Sequence, residues 1–255
     1  MTQDAARRAL KKWFPFSEEP APGLPLYALP HAGGGASAYR GWIAELAPAI
    51  RVVPVQLPGR EGRFGEPLPA SLPALAAEAA RAVLGHTPDG PFALFGHSMG
   101  ALVAYELATA LAAAGRAPTA LVVSGFRAPQ LLRDRLGVHL MTDGQLREHL
   151  RALGGSQSEI LDDAAMLELL APTIRADYRM CDDYVCGYHP PLELPVSAIG
   201  GTNDSRVSAE HLQAWQMVTT GPFRTRRFPG GHFYLRDQRD EVLEFLAEEL
   251  MGIHR

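Results

Sequence analysis

The sequence predicts an α/β chain: a mostly parallel central sheet with helices on both faces. Three observations carry that prediction. Short apolar runs alternate with amphipathic stretches of helical length. One run, Phe92-Ala93-Leu94-Phe95, ends in Gly96-His97-Ser98-Met99-Gly100 and passes straight into an Ala/Leu-rich helical pattern. A long interval, 127–193, then carries helical patterns alone before the alternation resumes. At 255 residues, 47% of them hydrophobic, the chain can bury a large core and reads as a single domain, 1–255.

Residues 1–23 open on MTQDAARRALKKWFPF, which is basic but lacks the uninterrupted apolar core of a secretion signal, so they read as an amino-terminal arm. A strand over 26–29 runs into Pro30-His31-Ala32-Gly33-Gly34-Gly35, and a helix over 36–46 follows. A strand over 51–55 then leads to Leu57-Pro58-Gly59-Arg60, and a helix over 72–84 precedes the strand 92–95. The helix over 101–114 meets no breaker until Gly115, which supplies its stop. After a strand over 120–124, helical patterns over 142–153 and 162–185 occupy the interval 127–193. A short crossover would suffice there, so the interval reads as a structural elaboration or, the favoured reading, as a functional cap leaving the sheet near the carboxyl ends of its strands, where ligands bind in folds of this type. Strands over 196–200 and 223–228 flank a helix over 209–217, and a helix over 240–250 closes the chain.

The formal charge of −4 gives no support to a nucleic-acid or membrane-surface binder, and no apolar stretch is long enough for a convincing span. Two cysteines, Cys181 and Cys186, are too few for a disulfide framework and lack a matching His cluster for a metal, so they predict free thiols in a cytoplasmic protein. The glycine run at 33–35 has neither a Gly-Lys-Ser/Thr ending nor a G-x-G-x-x-G pattern with a suitably placed acid, which argues against phosphate or dinucleotide binding. No cofactor and no metal are expected.

A G-x-S-x-G pattern between a strand and a helix holds its serine at the apex of a sharp turn. Ser98 is the expected nucleophile; the plainer reading is a glycine-bounded turn. A serine hydroxyl needs a base, and the base needs an acid to orient it. In the α/β-hydrolase order of Ser, acid, His, six histidines follow Ser98. His139 and His149 lie in the insertion, His189 precedes two prolines, His211 falls inside a predicted helix and His254 is in the tail. His232 remains, in a glycine-flanked loop directly after a strand. Asp204 stands at the carboxyl end of the preceding strand and is preferred as the acid over Asp177, Asp182 and Asp183, which belong to the insertion; its plainer role is an Asx-turn or helix cap. The Met99 amide, next to the nucleophile, and the Ala32 amide, in the loop after the first strand, are the expected oxyanion donors. His31 is expected to shape that loop.

The chain resembles the type II thioesterases, the stand-alone editing hydrolases of polyketide synthases and non-ribosomal peptide synthetases. The resemblance rests on Pro30-His31-Ala32-Gly33-Gly34, Leu57-Pro58-Gly59-Arg60, the Ser98 motif, Gly200-Gly201-Thr202-Asn203-Asp204 and Gly231-His232-Phe233, in that order and approximate spacing, from about Leu24 to Leu250. It implies the α/β-hydrolase fold, a Ser98–Asp204–His232 triad, an oxyanion hole of Met99 and Ala32, and a helical lid at 127–193. It implies as substrate an acyl thioester on the phosphopantetheine arm of an acyl or peptidyl carrier protein. Separately, a cytoplasmic monomer is expected. Leu146, Leu150, Met166 and Leu170 are candidates for lining an acyl chamber, or for packing the lid onto the core. Arg60, Arg63, Arg127, Arg133 and Arg135 are candidates for docking an acidic carrier, or for a solvated face. A carboxylester hydrolase or lipase with the same triad, and a non-catalytic binding protein of the same fold, remain as alternatives.

Overall fold

In the computed structural model, which describes residues 3–17, 22–87, 89–132, 135–154 and 163–252, strands β1 (Leu24–Leu29), β2 (Ile50–Pro54), β3 (Ala93–His97), β4 (Ala120–Ser124), β5 (Val196–Gly201) and β6 (Phe223–Phe228) form one sheet. Their order is β2-β1-β3-β4-β5-β6 and each neighbouring pair is parallel. Apolar residues occupy both faces because both faces are covered. Tyr27 and Leu29 of β1 and Leu94 of β3 enter one core, while Leu26 and Ala28 of β1 and Ala93 and Phe95 of β3 enter the other. The edge strand β6 differs: its exposed stretch holds Arg224, Thr225, Arg226 and Arg227. Charged side chains on an edge discourage pairing with another chain.

Nine α-helices surround the sheet among the described residues: α1 (Gln3–Trp13), α2 (Trp42–Leu46), α3 (Leu72–His86), α4 (Met99–Ala113), α5 (Asp143–Ala152), α6 (Ala164–Asp183), α7 (Ala209–Gln213), α8 (Tyr234–Asp237) and α9 (Arg239–Gly252). Helices α3 and α4, with Leu212 of α7, cover one face, and α2 and α9 cover the other. The arm is tied down at Phe14, which is buried beside Tyr27 and His86. Two predicted helices are shorter than their apolar spacing suggests. The stretch over 36–46 breaks into a 3-10 turn (Ala36–Tyr39) and α2, and the stretch over 209–217 divides into α7 and a 3-10 turn (Ala214–Val218). A 3-10 turn keeps the buried side chains on the core side while ending the α-helical ladder.

Between β4 and β5 the chain leaves the sheet, and α5 and α6 lie in that interval. Thr142 and Gln145 form a reciprocal capping box at α5, and Asp163 accepts from the amides of Ala165 and Met166 at the start of α6. The predicted start at Asp162 lies outside the described residues. Val138, Leu146, Leu150, Leu167, Ala171, Ile174 and Tyr178 form a third apolar cluster. The insertion thus has a small core of its own. No described helix is long and apolar enough to cross a membrane.

Candidate active site

The turn from β3 into α4 puts Ser98 at φ 55, ψ −124, a region that costs a non-glycine residue about 1–3 kcal/mol and is kept only where the surroundings enforce it. They do so through close packing and hydrogen bonds. A methyl group at Gly96 would overlap the carbonyl of Gly100, and one at Gly100 would overlap the carbonyls of Leu29 and Pro30. The Ser98 amide donates to the Ser124 carbonyl at 2.8 Å, and the Ser98 carbonyl accepts from the Ala101 amide at 2.8 Å. Both glycines of the motif are therefore required by backbone contact, and the serine is held half-buried.

The loops after β5 and β6 meet it. A methyl group at Gly201 would overlap the carbonyls of Gly230 and Gly231, so these two loops can cross only with glycine there. His232 Nε2 lies 3.0 Å from Ser98 Oγ, and His232 Nδ1 lies 2.8 Å from Asp204 Oδ2. With Nδ1–H donating to the carboxylate, Nε2 carries the lone pair that accepts the serine proton. Burial raises the Asp204 carboxyl, but the hydrogen bond from His232, the charge of that ring, and the amide and charge of Arg206 together hold it below its ordinary range. The other Asp204 oxygen, Oδ1, accepts from the Arg206 amide at 2.9 Å. Asp204 thus fills the Asx-type role and the histidine-orienting geometry at once, one oxygen each. The cap of α7 is Ser208, paired reciprocally with His211.

The remaining histidines go elsewhere. His139 pairs with Asp182, His149 with Arg206, and His189 faces Glu106, while His254 lies outside the described residues. His97 Nδ1 bonds Ser124 Oγ at 2.9 Å, and that hydroxyl meets Tyr234 at 2.7 Å, a buried chain under the His232 ring. His31 fills the space over Gly34 and packs edge-on to Phe233, which agrees with a loop-shaping role.

Ala32, Met99, Ser98 and His232 line one cavity of about 230 Å3, closed by Leu136, Tyr178 and Cys181 from the insertion and by Phe126 and Val207 from the sheet loops. The four apolar candidates from the insertion are not among its walls. Leu146 and Leu150 are buried in the insertion's own cluster, Leu170 packs against it, and Met166 is 37% exposed. Helical spacing announces burial without saying against what. From α6 the cavity takes Tyr178 and Cys181, which belong to a stripe with Ile174 and Asp177 whose i, i+3, i+4, i+7 spacing is itself legible. Burial, with Asp177 and Asp182 adding, pushes the Cys181 thiol up, so it is a poor rival nucleophile. Cys186 is likewise a free thiol raised chiefly by burial, and the described residues contain no metal-ligating cluster.

Two docking candidates are also corrected. Arg60 is buried against Asp177, and Arg63 is buried with its guanidinium over the Trp13 ring and bonded to Glu66. Neither can form part of a solvated patch. Arg127 lines the cavity, Arg135 is exposed near Asp183, and Arg133 lies outside the described residues.

A family model described as the thioesterase domain matches residues 24–250. The chain belongs to the thioesterase family. Among relatives of this thioesterase, the gramicidin S biosynthesis protein GrsT of Aneurinibacillus migulanus is 37% identical over 94% of each chain. Thioesterase PikA5 of Streptomyces venezuelae is 38% identical over 92% of this chain and 84% of its own. Among solved structures, the type II thioesterase BorB from the borrelidin biosynthetic cluster superposes with a TM-score of 0.84 at 39% identity, covering 92% of this chain and 94% of BorB. RedJ, the thioesterase of the prodiginine pathway in Streptomyces coelicolor, gives 0.84 at 39% identity over 98% and 96%. The resemblance to type II thioesterases read from the loops holds over almost the whole chain, as does the α/β-hydrolase fold. The enzyme is a thioester hydrolase.

Proposed function

We propose that this thioesterase clears acyl groups from the phosphopantetheine arm of acyl or peptidyl carrier proteins, through an acyl-enzyme on Ser98. The observation that carries the reading is the relay of Ser98 Oγ to His232 Nε2 at 3.0 Å and His232 Nδ1 to Asp204 at 2.8 Å, opening onto a cavity walled by the insertion. Ser98 Oγ bonds to the thioester carbonyl carbon as its proton passes to His232 Nε2. The imidazolium so formed faces the ionised Asp204. The carbonyl oxygen becomes an oxyanion, for which the Met99 amide, in the first turn of α4 where helix amides have no internal partner, and the Ala32 amide are the donors. The C–S bond then breaks and the departing sulfur takes the proton from His232. A thiol is a good leaving group, so this proton matters less than it would for an amide. Water enters and its oxygen bonds to the acyl carbon as its proton passes to His232; the second tetrahedral species then collapses, the bond to Ser98 Oγ breaks, that oxygen takes the proton back from His232, and the carboxylic acid is released.

The named roles of the relatives support carrier-bound substrates, since GrsT belongs to gramicidin S biosynthesis and BorB to a borrelidin cluster. The insertion between β4 and β5 acts as the lid, with Tyr178 and Leu136 over the acyl group. On this reading the enzyme works in the cytoplasm as a monomer. The test compares one acyl group presented as a carrier-bound thioester, as a small-thiol thioester and as the matched oxygen ester. The carrier thioester should have the highest kcat/KM. Equal rates for carrier and small thiol would remove carrier recognition, and a faster oxygen ester would make the enzyme a carboxylester hydrolase.

A further inference from the structure

The two loops that distinguish the sequence, Pro30 to Gly35 and Leu57 to Arg60, are joined to the insertion by a buried ion pair. Arg60 is 2% exposed and its guanidinium grips Asp177 of α6 with both arms, at 2.5 and 2.9 Å. Asp177, fully buried, also accepts the Gly33 amide at 2.8 Å, and Arg60 reaches the Gly34 carbonyl at 3.4 Å. Gln56 ties the same loops together by accepting the Ala36 amide and donating to the Arg60 carbonyl, and Thr173 of α6 donates to the Gly59 carbonyl at 2.9 Å. Gly33, at φ +75, lies so close to Ile174 of α6 that a methyl group there would overlap it. Replacing such a pair with apolar groups is often tolerated, so stability alone does not explain a carboxylate in the middle of an otherwise apolar stripe.

We propose that Asp177, held by Arg60, is a positioning residue: by accepting the Gly33 amide it fixes the peptide that follows Ala32, and so aims the Ala32 donor at the oxyanion only when α6 is seated. The inference rests on the oxyanion role proposed for Ala32. It makes the insertion part of the catalytic geometry as well as a cover. The loop and α6 then move as one body, and a substrate that displaces α6 loses a donor along with its wall.

The test uses two full-length double variants that both remove the buried charges. Arg60→Met/Asp177→Asn keeps an acceptor oxygen for the Gly33 amide; Arg60→Met/Asp177→Leu does not. Acyl thioester hydrolysis and phosphonylation of Ser98 by a fluorophosphonate are measured on each, along with the affinity for an acyl trifluoromethyl ketone, whose adduct carries an oxyanion. The Leu variant should lose about 10²-fold in kcat with KM changed less than about threefold, and the ketone affinity should fall in parallel. The Asn variant should recover at least about tenfold of that loss. Equal rates in the two variants, or a Leu variant as fast as the parent, would overturn the proposal. Should the Leu variant not fold, hydrogen exchange on the parent decides: phosphonylation should slow exchange in 30–36 and 170–180 together, and slowing confined to 30–36 would overturn it. If the parent is phosphonylated at Ser98 yet does not hydrolyse thioesters, the thioesterase mechanism fails while the phosphonylation rates still decide the role of Asp177.

Discussion

Asp204 shows how one side chain can serve structure and chemistry through separate atoms. Oδ1 closes the turn onto the Arg206 amide and Oδ2 holds His232. Asp204→Asn keeps an acceptor for Arg206, and Asn suits such turns, so the melting temperature should stay close to that of the parent. The amide would favour the wrong histidine tautomer, and kcat should fall by about 10³–10⁴-fold. Steady-state kinetics with a thermal melt check both parts; a large loss of stability with kcat per folded molecule retained would contradict the orienting role. The neighbouring histidines set a pH limit. Burial, aided by Arg236, His232 and Arg60, pushes His31 down to about 3, and burial first, then His232, His31 and Arg236, holds His97 well below its ordinary value despite the bond to Ser124. The unfolded chain takes up these protons near pH 6.5, while folded His31 takes none until about pH 3. Their stabilisation is therefore complete above about 6.5 and declines as pH falls toward 3, by up to about 1.4 kcal/mol per pH unit for each ring. Urea unfolding at pH 7 and pH 5 should show the decline, and His31→Gln should make it shallower. An unchanged slope in that variant would rule His31 out as a source.

At the scale of elements, the elbow depends on backbone contact. Gly100→Ala would drive a methyl group into the carbonyls of Leu29 and Pro30 and push α4 away from β1. Overpacking of this kind costs about 1–3 kcal/mol, and displacing the start of α4 moves Ser98 and the Met99 amide with it. The variant should fold with a lowered melting temperature and lose most of its hydrolysis. Retained activity would show that the elbow has more room than this packing gives it. The elbow, the grouping of Ser98, Asp204 and His232 and the strands could be read from the sequence because each depends on a local pattern: apolar alternation, glycines at a turn, a polar residue where a strand ends. The partner of Arg60 could not. It lies 117 residues away on another element, and only the folded chain brings Asp177 to it. A polar residue inside an apolar helical stripe was the available signal, since a buried carboxylate must find a partner. The broken helices over 36–46 and 209–217 escaped for a related reason: apolar spacing fits a 3-10 turn followed by a short helix as well as a continuous one.

The whole molecule is weakly acidic, with a net charge of −4, and two of the arginines expected to attract an acidic carrier are consumed internally. On the proposed function, docking then rests less on Arg60 and Arg63 than on apolar contact and on the arm entering the cavity. The kcat/KM for a carrier-bound thioester should change less than about threefold between 50 and 500 mM salt, because steering of opposite charges would be screened over that range. A fall of about tenfold or more would point to charge steering instead. The sheet supplies Ser98, Asp204 and His232 from the ends of β3, β5 and β6, and the insertion supplies the wall opposite them. The measurement that tests this arrangement most directly is rapid-quench mass spectrometry of the enzyme mixed with an acyl carrier thioester. A transient adduct of the acyl mass is expected on Ser98, absent in Ser98→Ala, which should also lose hydrolysis by at least about 10³-fold. Turnover in Ser98→Ala within about tenfold of the parent, or an adduct on Cys181 in place of Ser98, would contradict this arrangement.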